Sequence, residues 1–377
     1  MPVDTDYLQD LLGRLLATPS PSGMTDAIVR VVCDELESLG AKYELTRRGA
    51  IRVTLRGRRH APARAIVSHL DTLGAMVKGI RPNGRLEVVP IGFWSARFAE
   101  GARVTVFSDN GVIHRGTILP LKASGHTYNR EIDTQPCDWT NAELRLDAHT
   151  SSVADTRALG IEVGDTIAID TATEFAPNGF INSRHLDDKA GVAAVMTMIR
   201  AVMQKEIVPA VDCFALFTIS EEVGVGASHV LHGEIAELVS VDNGTIAPGQ
   251  YTCEYGVTIA MQDSSGPFDW HLTRHLLGLC AEHGIVHSRD VFRFYRSDAA
   301  SALEAGNDLR TSLVCFALDA SHGYERTHID SLAALTSLLS RYIASPPMFQ
   351  RDREAMGPLG DFPPAEMQIG TTLQNDT

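Results

Sequence analysis

Several things are missing from this chain, and each absence narrows what it can do. The 377 residues contain six cysteines and no CxxC pair, so neither a disulfide framework nor a thiolate metal knuckle is indicated. Free thiols in a reducing compartment are expected instead. No apolar run approaches the 18 residues needed to cross a bilayer, and Met1-Pro2-Val3-Asp4 lacks the basic-then-apolar pattern of an export signal. The expectation is a cytoplasmic protein that does not enter membranes. Positive charge is scarce: 33 basic residues stand against 47 acidic ones, a net charge of −14, which argues against a nucleic-acid partner. There is no GxGxxG or GxxxxGK[ST] phosphate loop, no serine in a nucleophile-elbow setting and no internal repeat.

What is present is ordinary bulk with unusual punctuation. Apolar residues make up 44% and charged residues 21%, enough for a sizeable core and two domains. Residues 5–17 and 26–39 carry leucine, isoleucine and valine at helical spacing, and Gly40 stops the second run. An apolar strand at 63–68 then delivers His69-Leu70-Asp71. From Gly74 to about residue 176 the pattern changes to short strands separated by turns such as Pro82-Asn83-Gly84 and Asp109-Asn110-Gly111, which predicts a small barrel or sandwich. Residues 122–141 read as an exposed loop.

Beyond residue 177 the α/β pattern returns. Ser183-Arg184-His185-Leu186-Asp187-Asp188-Lys189 precedes an apolar helical run, expected over 188–204. Alone, the two acids read as a helix start with a solvated lysine. A buried strand at 212–220 ends in Glu221-Glu222-Val223-Gly224, and a helix is expected over 227–232. A strand at 238–241 leads to Asp242-Asn243-Gly244, a strand at 291–295 leads to Arg296-Ser297-Asp298, and a strand at 311–318 leads to Ala320-Ser321-His322-Gly323. Polar groups at strand ends are where α/β proteins place chemistry. Two imidazoles and up to five carboxylates on one rim resist joint ionisation unless cations share them, and two divalent ions would make the set sensible.

The set His69-Leu70-Asp71, Ser183 to Lys189, Glu221-Glu222-Val223-Gly224, Asp242 and Ser297-Asp298-Ala299, in this order, resembles the tetrahedral (TET), glutamyl-aminopeptidase and endoglucanase-M-like group of co-catalytic metallopeptidases. The resemblance implies a central mixed sheet flanked by helices, with residues 1–72 and 177–345 catalytic and 73–176 an inserted β-barrel-like domain; residues 346–377, proline-rich and without a sustained period, read as a tail that is disordered or lies on the surface. The resemblance also implies aminopeptidase-type hydrolysis of amide bonds in short peptides, with two divalent metal ions per chain, zinc or cobalt, or else manganese. Asp187 would bridge the ions, His69 and Asp242 would complete one site, and Glu222 and His322 the other. Glu221 would be the general base and Asp71 would orient His69. His328 competes with His322 for the last position. Asp298 is a candidate helper for the substrate amine. A homo-oligomer between dimer and dodecamer is implied as well.

The chain departs from that pattern at Thr72-Leu73, at Val225-Gly226 and at Gly323-Tyr324, near substrate or subunit contacts. It is most similar to a branch associated with osmoprotectant dipeptide systems, which would make the substrate a modified dipeptide. Two alternatives therefore stand beside the aminopeptidase reading: a deacylase or carboxypeptidase-type amidohydrolase acting on blocked or amidated dipeptides, and an inactive metal-binding scaffold.

Overall fold

A computed structural model describes residues 3–365 and 367. Two helices open the chain, α1 (Thr5–Ala17) and α2 (Asp26–Ser38), each with one buried stripe. Leu8, Leu11, Leu12 and Leu15 of α1 are fully buried, each contributing roughly 1.5–3 kcal/mol of transfer free energy. Strands follow as β1 (Lys42–Leu45), β2 (Ile51–Leu55) and β3 (Ala63–His69). Six strands then close into a barrel: β4 (Gly74–Ile80), β5 (Leu86–Ile91), β6 (Arg103–Phe107), β7 (Ile113–Pro120), β8 (Ala142–Leu146) and β9 (Thr166–Ile169). Its core is separate and mostly aliphatic, built on Val77, Val88, Val104, Val106, Ile118, Leu144 and Ile167. The loop expected over 122–141 folds into short helical turns, Gly125–Tyr128 and Glu131–Thr134.

The remaining strands are β10 (Glu174–Phe175), β11 (Phe180–Ser183), β12 (Cys213–Thr218), β13 (Ile235–Ile246), β14 (Val257–Asp263), β15 (Gly266–Pro267), β16 (His287–Val291), β17 (Arg310–Asp319) and β18 (Glu325–His328). With β1 to β3 they form a twelve-stranded mixed sheet in the order β1-β2-β12-β3-β13-β17-β18-β11-β10, with β14 beside β17. The heart of it, β12-β3-β13-β17, is parallel, so four carboxyl ends face one edge. Such runs are buried on both faces, which is why β12 and β3 read as unbroken apolar stretches. The mixed sheet and barrel agree with the fold class expected from sequence.

Three local expectations give way. The segment at 227–232 forms only a 3-10 turn, Gly226–His229, set by left-handed glycines at 224 and 226. The strand expected at 291–295 ends at Val291 instead of starting there. Strand β13 runs on to Ile246 because β17 pairs with it along that length, so Asp242 lies within a strand and not beyond one.

The helix Leu186–Met203 crosses the sheet as its central support and is buried nearly all round. Lys189 at its start is buried and not solvated. Its ammonium donates to the Leu15 and Thr18 carbonyls at 2.9 and 2.6 Å, satisfying the open end of α1. Of the stretch expected to be disordered, residues 346–352 are tied down. Arg64 donates to the Pro346 carbonyl at 2.9 Å and Arg310 pairs with Asp352 at 2.6 Å. Residues 366 and 368–377 lie outside the described residues.

Candidate metal centre

His69 closes β3 with its imidazole buried. Its Nδ1 donates to the Asp71 carbonyl oxygen at 2.9 Å, leaving Nε2 3.2 Å from Asp187 Oδ1. Fixing one ring nitrogen on a backbone acceptor is how a ligand histidine is usually oriented. The Asp71 carboxylate sits 3.6 Å from that ring nitrogen and holds a second set of groups as well. It accepts the backbone N–H groups of Glu221 and Glu222 at 3.0 and 3.3 Å and the Ser22 hydroxyl. The turn after β12 is thereby pinned, and both glutamates are carried over the sheet edge.

Asp187 sits at the N-terminal end of the central helix, after a left-handed His185 (φ 65°). The His185 ring is buried against the Ile169 carbonyl of the barrel at 3.3 Å; burial pushes its pKa down to about 3, so it is neutral. Asp187 Oδ2 lies 3.3 Å from His322 Nε2 and accepts from Asn243 Nδ2 at 2.8 Å. Its neighbour Asp188 turns the other way, taking the Ser68 hydroxyl and, at 3.1 Å, the His69 N–H. One acid faces the rim and the other staples β3 to the helix.

His322 follows β17 in a left-handed conformation (φ 65°). The Phe93 carbonyl of the barrel accepts its Nδ1–H at 2.8 Å, and its Nε2 points to Asp187 and, 3.7 Å away, to Glu222 Oε2. His328 is fully engaged elsewhere. Its Nδ1 caps the helix Ile329–Ala344, accepting from Asp330 N at 3.1 Å, and its Nε2 meets the Asn178 carbonyl at 3.0 Å. Asp298 is buried on the Thr218 hydroxyl at 2.8 Å and does not line the cavity.

Two donor groups result. The ligand-type atoms of His69, Asp187 and Asp242 all lie within 4.8 Å of one another, and so do those of Asp187, Glu222 and His322. Nitrogen and carboxylate donors in such numbers suit zinc, cobalt or manganese. Glu222 Oε1 is buried with no hydrogen-bond partner, as an oxygen meant for a cation would be. The electrostatics agree. Burial, with the neighbouring acids, drives the Glu221 and Asp242 carboxyls well above their usual range, and burial takes Glu222 up to about 8. Burial disfavours the imidazolium of His322, yet Glu222 and Asp187 outweigh it and raise the ring to about 10. Acids and imidazoles competing for protons in this way fit a divalent-cation site.

A cavity of about 720 Å³ opens over this edge, large enough for a short peptide. Glu221 lines it with Asp187, Glu222, Asp242 and His322, and its Oε2 is 3.9 Å from His69 Nε2. Phe93 from the loop after β5 and Phe294 from the loop after β16, 94% and 96% exposed, also line it. Sequence reasoning did not single out Asn243, whose amide bridges Asp187 and Asp242, or Glu325, which takes the backbone N–H groups of Asp187 and His322. For Glu325 the available signal was its place three residues after His322.

Acids and imidazoles gathered at the carboxyl edge of a parallel sheet form a candidate metal centre, and comparison with known proteins says which class of protein carries it. The profile of the M42 glutamyl aminopeptidase family matches residues 49–338. A Bacillus subtilis protein described as putative aminopeptidase YhfE is 36% identical over 337 residues, covering 89% of this chain and 97% of that one. The chain belongs to the M42 family, and it is a hydrolase of the aminopeptidase type. In fold it matches a TET aminopeptidase from a marine-sediment Thaumarchaeota archaeon (TM-score 0.82, 17% identity, 91% of this chain and 97% of the other). It also matches the Pyrococcus horikoshii TET1 peptidase (TM-score 0.78, 21% identity, 89% and 99%), described as able to assemble into a tetrahedron or a large octahedral shell. No helix among the described residues is long and apolar enough to cross a membrane.

Proposed function

We propose that this aminopeptidase holds two divalent ions, zinc or cobalt or else manganese, with Asp187 shared between them. His69 and Asp242 would complete one site, and Glu222 and His322 the other. The observation that carries this reading is the membership of Asp187 in both donor groups, one carboxylate oxygen toward His69 and the other toward His322. When bound, the ions supply Lewis acidity and a lowered water pKa.

The chain's own groups do the rest. Glu221 stands at the cavity wall beside the donors, with its backbone fixed by Asp71. Its carboxyl is held well above the ordinary range, first by burial and then by Asp298, Glu222 and Asp187. A glutamate so placed accepts a proton from the attacking water and returns it to the amide nitrogen, which leaves poorly until protonated. Phe93, Phe294 and Val223 supply apolar walls for the side chains of a short peptide. Residues 73–176 act as an inserted domain between two catalytic segments, 1–72 and 177–345; the support is a barrel that closes on itself around its own core. The shell-forming TET1 relative suggests self-assembly here too, between dimer and dodecamer.

The direct test is Glu221→Gln assayed on free dipeptides with metal content measured in parallel. Turnover should collapse while two ions stay bound; turnover within tenfold of wild type would remove Glu221 as the base. Free, acetylated and amidated dipeptides in the same assay separate the aminopeptidase from an enzyme of blocked substrates.

A further inference from the structure

The metal-site reading above gives no role to the buried Glu325. Glu325 is 1% exposed, and its two carboxylate oxygens go in different directions. Oε2 accepts the backbone N–H of Asp187 at 3.2 Å, and Oε1 accepts the backbone N–H of His322 at 2.9 Å. These segments are far apart in sequence, and besides Glu325 the Arg184 guanidinium links them, donating to the Gly323 carbonyl at 3.3 Å. Both are conformationally unfavourable: His185, two residues before Asp187, is left-handed (φ 65°), as are Ala320 (φ 57°) and His322 (φ 65°). Non-glycine residues stay in that region only where the surroundings hold them. Glu325 is itself fixed, because β18 pairs with β11 in a register that sets it opposite Ser183, at the mouth of the Asp187 loop.

We infer that Glu325 is a positioning residue that clamps the loops bearing Asp187 and His322, so that the shared carboxylate and the last imidazole present one preformed donor group. It touches neither substrate nor ion. Its effect reaches the chemistry through the two main-chain N–H groups. A carboxylate is the suitable side chain, since it offers an acceptor to each donor without a hydrogen of its own in the way. This inference rests on the dinuclear reading of the site.

The experiment is a zinc titration of the full-length chain, stripped of metal, against a chelating indicator, with thermal melting alongside. Glu325→Gln keeps the shape but sets an NH₂ against one of the two N–H donors. Glu237→Gln is the control: it alters an equally buried acid, paired with Arg64 at 2.8 Å on the far side of the sheet. Glu325→Gln should weaken zinc binding by about 10- to 100-fold, the effect typical of outer partners of ligands. The zinc concentration for half-maximal activity should rise in step, and KM for a dipeptide at saturating zinc should stay within about twofold. Glu237→Gln should lower the melting temperature and leave zinc affinity alone. Wild type that binds zinc, with Glu325→Gln binding within twofold of it, overturns the clamp and leaves the dinuclear reading standing. Wild type that binds no zinc, cobalt or manganese takes both down. If Glu325→Gln and Glu325→Asp both fail to fold with zinc present while Glu237→Gln folds, Glu325 is a structural keystone and the clamp is likewise overturned.

Discussion

The sheet domain and the barrel store charge differently. In the sheet region Arg64, Asp188, Lys189, Glu237, Asp298 and Glu325 are each 2% exposed or less. Each has a defined partner: a carbonyl, a backbone N–H, a hydroxyl or an opposite charge. The barrel packs valine, isoleucine and leucine inside and keeps most of its ion pairs, such as Arg103 with Asp147 and Arg115 with Asp170, near the surface. Burying ionisable groups is costly unless they find partners, and in the sheet region those partners are often backbone groups of distant segments. Stability in the barrel is therefore mainly apolar. In the sheet it is shared with a polar scaffold built around the rim.

That contrast can be broken or sharpened by measurement. The largest effect belongs to Glu221→Gln, which should lower kcat by roughly 10²–10⁴, the range of general acid–base catalysis, with little change in melting. Next, His322→Ala should lose one of two bound ions by elemental analysis, whereas His328→Ala should keep both and cost only helix-cap stability, roughly 0.5–2 kcal/mol. Cutting a fully buried leucine from the barrel, Leu144→Ala, should cost roughly 2–5 kcal/mol in denaturant unfolding and leave zinc affinity unchanged below the transition. Conversely, zinc at about a hundred times its dissociation constant should stabilise the sheet domain by about 2.7 kcal/mol; calorimetry showing the same shift in a resolved barrel transition would erase the distinction. The smallest effect is expected of Phe93→Ala. Its exposed ring can go while its carbonyl still holds His322, so KM should rise a fewfold with kcat nearly intact.

The sequence showed the sheet region and the rim acids more readily than it showed what supports them. Period-3.6 and period-2 patterns expose α1, α2 and the strands, because each element turns one face to a core. The rim acids stand out because they interrupt apolar runs. Asp242 was expected past a strand end; the run of β13 beyond it depends on pairing with β17, which no local pattern encodes. Lys189 looked solvated because its acceptors, Leu15 and Thr18, are about 170 residues away and belong to the main chain. Glu325 was hard to see for the same reason, since its bond to the distant Asp187 backbone leaves no signature in residue type, and Asn243 acts through a carboxylate 56 residues away.

The Lys189 contact reaches beyond the site itself. Removing the first eighteen residues would strip away both acceptors of a buried ammonium two positions from Asp187. Damage at the amino terminus would then be felt at the hydrolytic edge, and a shortened chain that still folded would be expected to take up metal poorly.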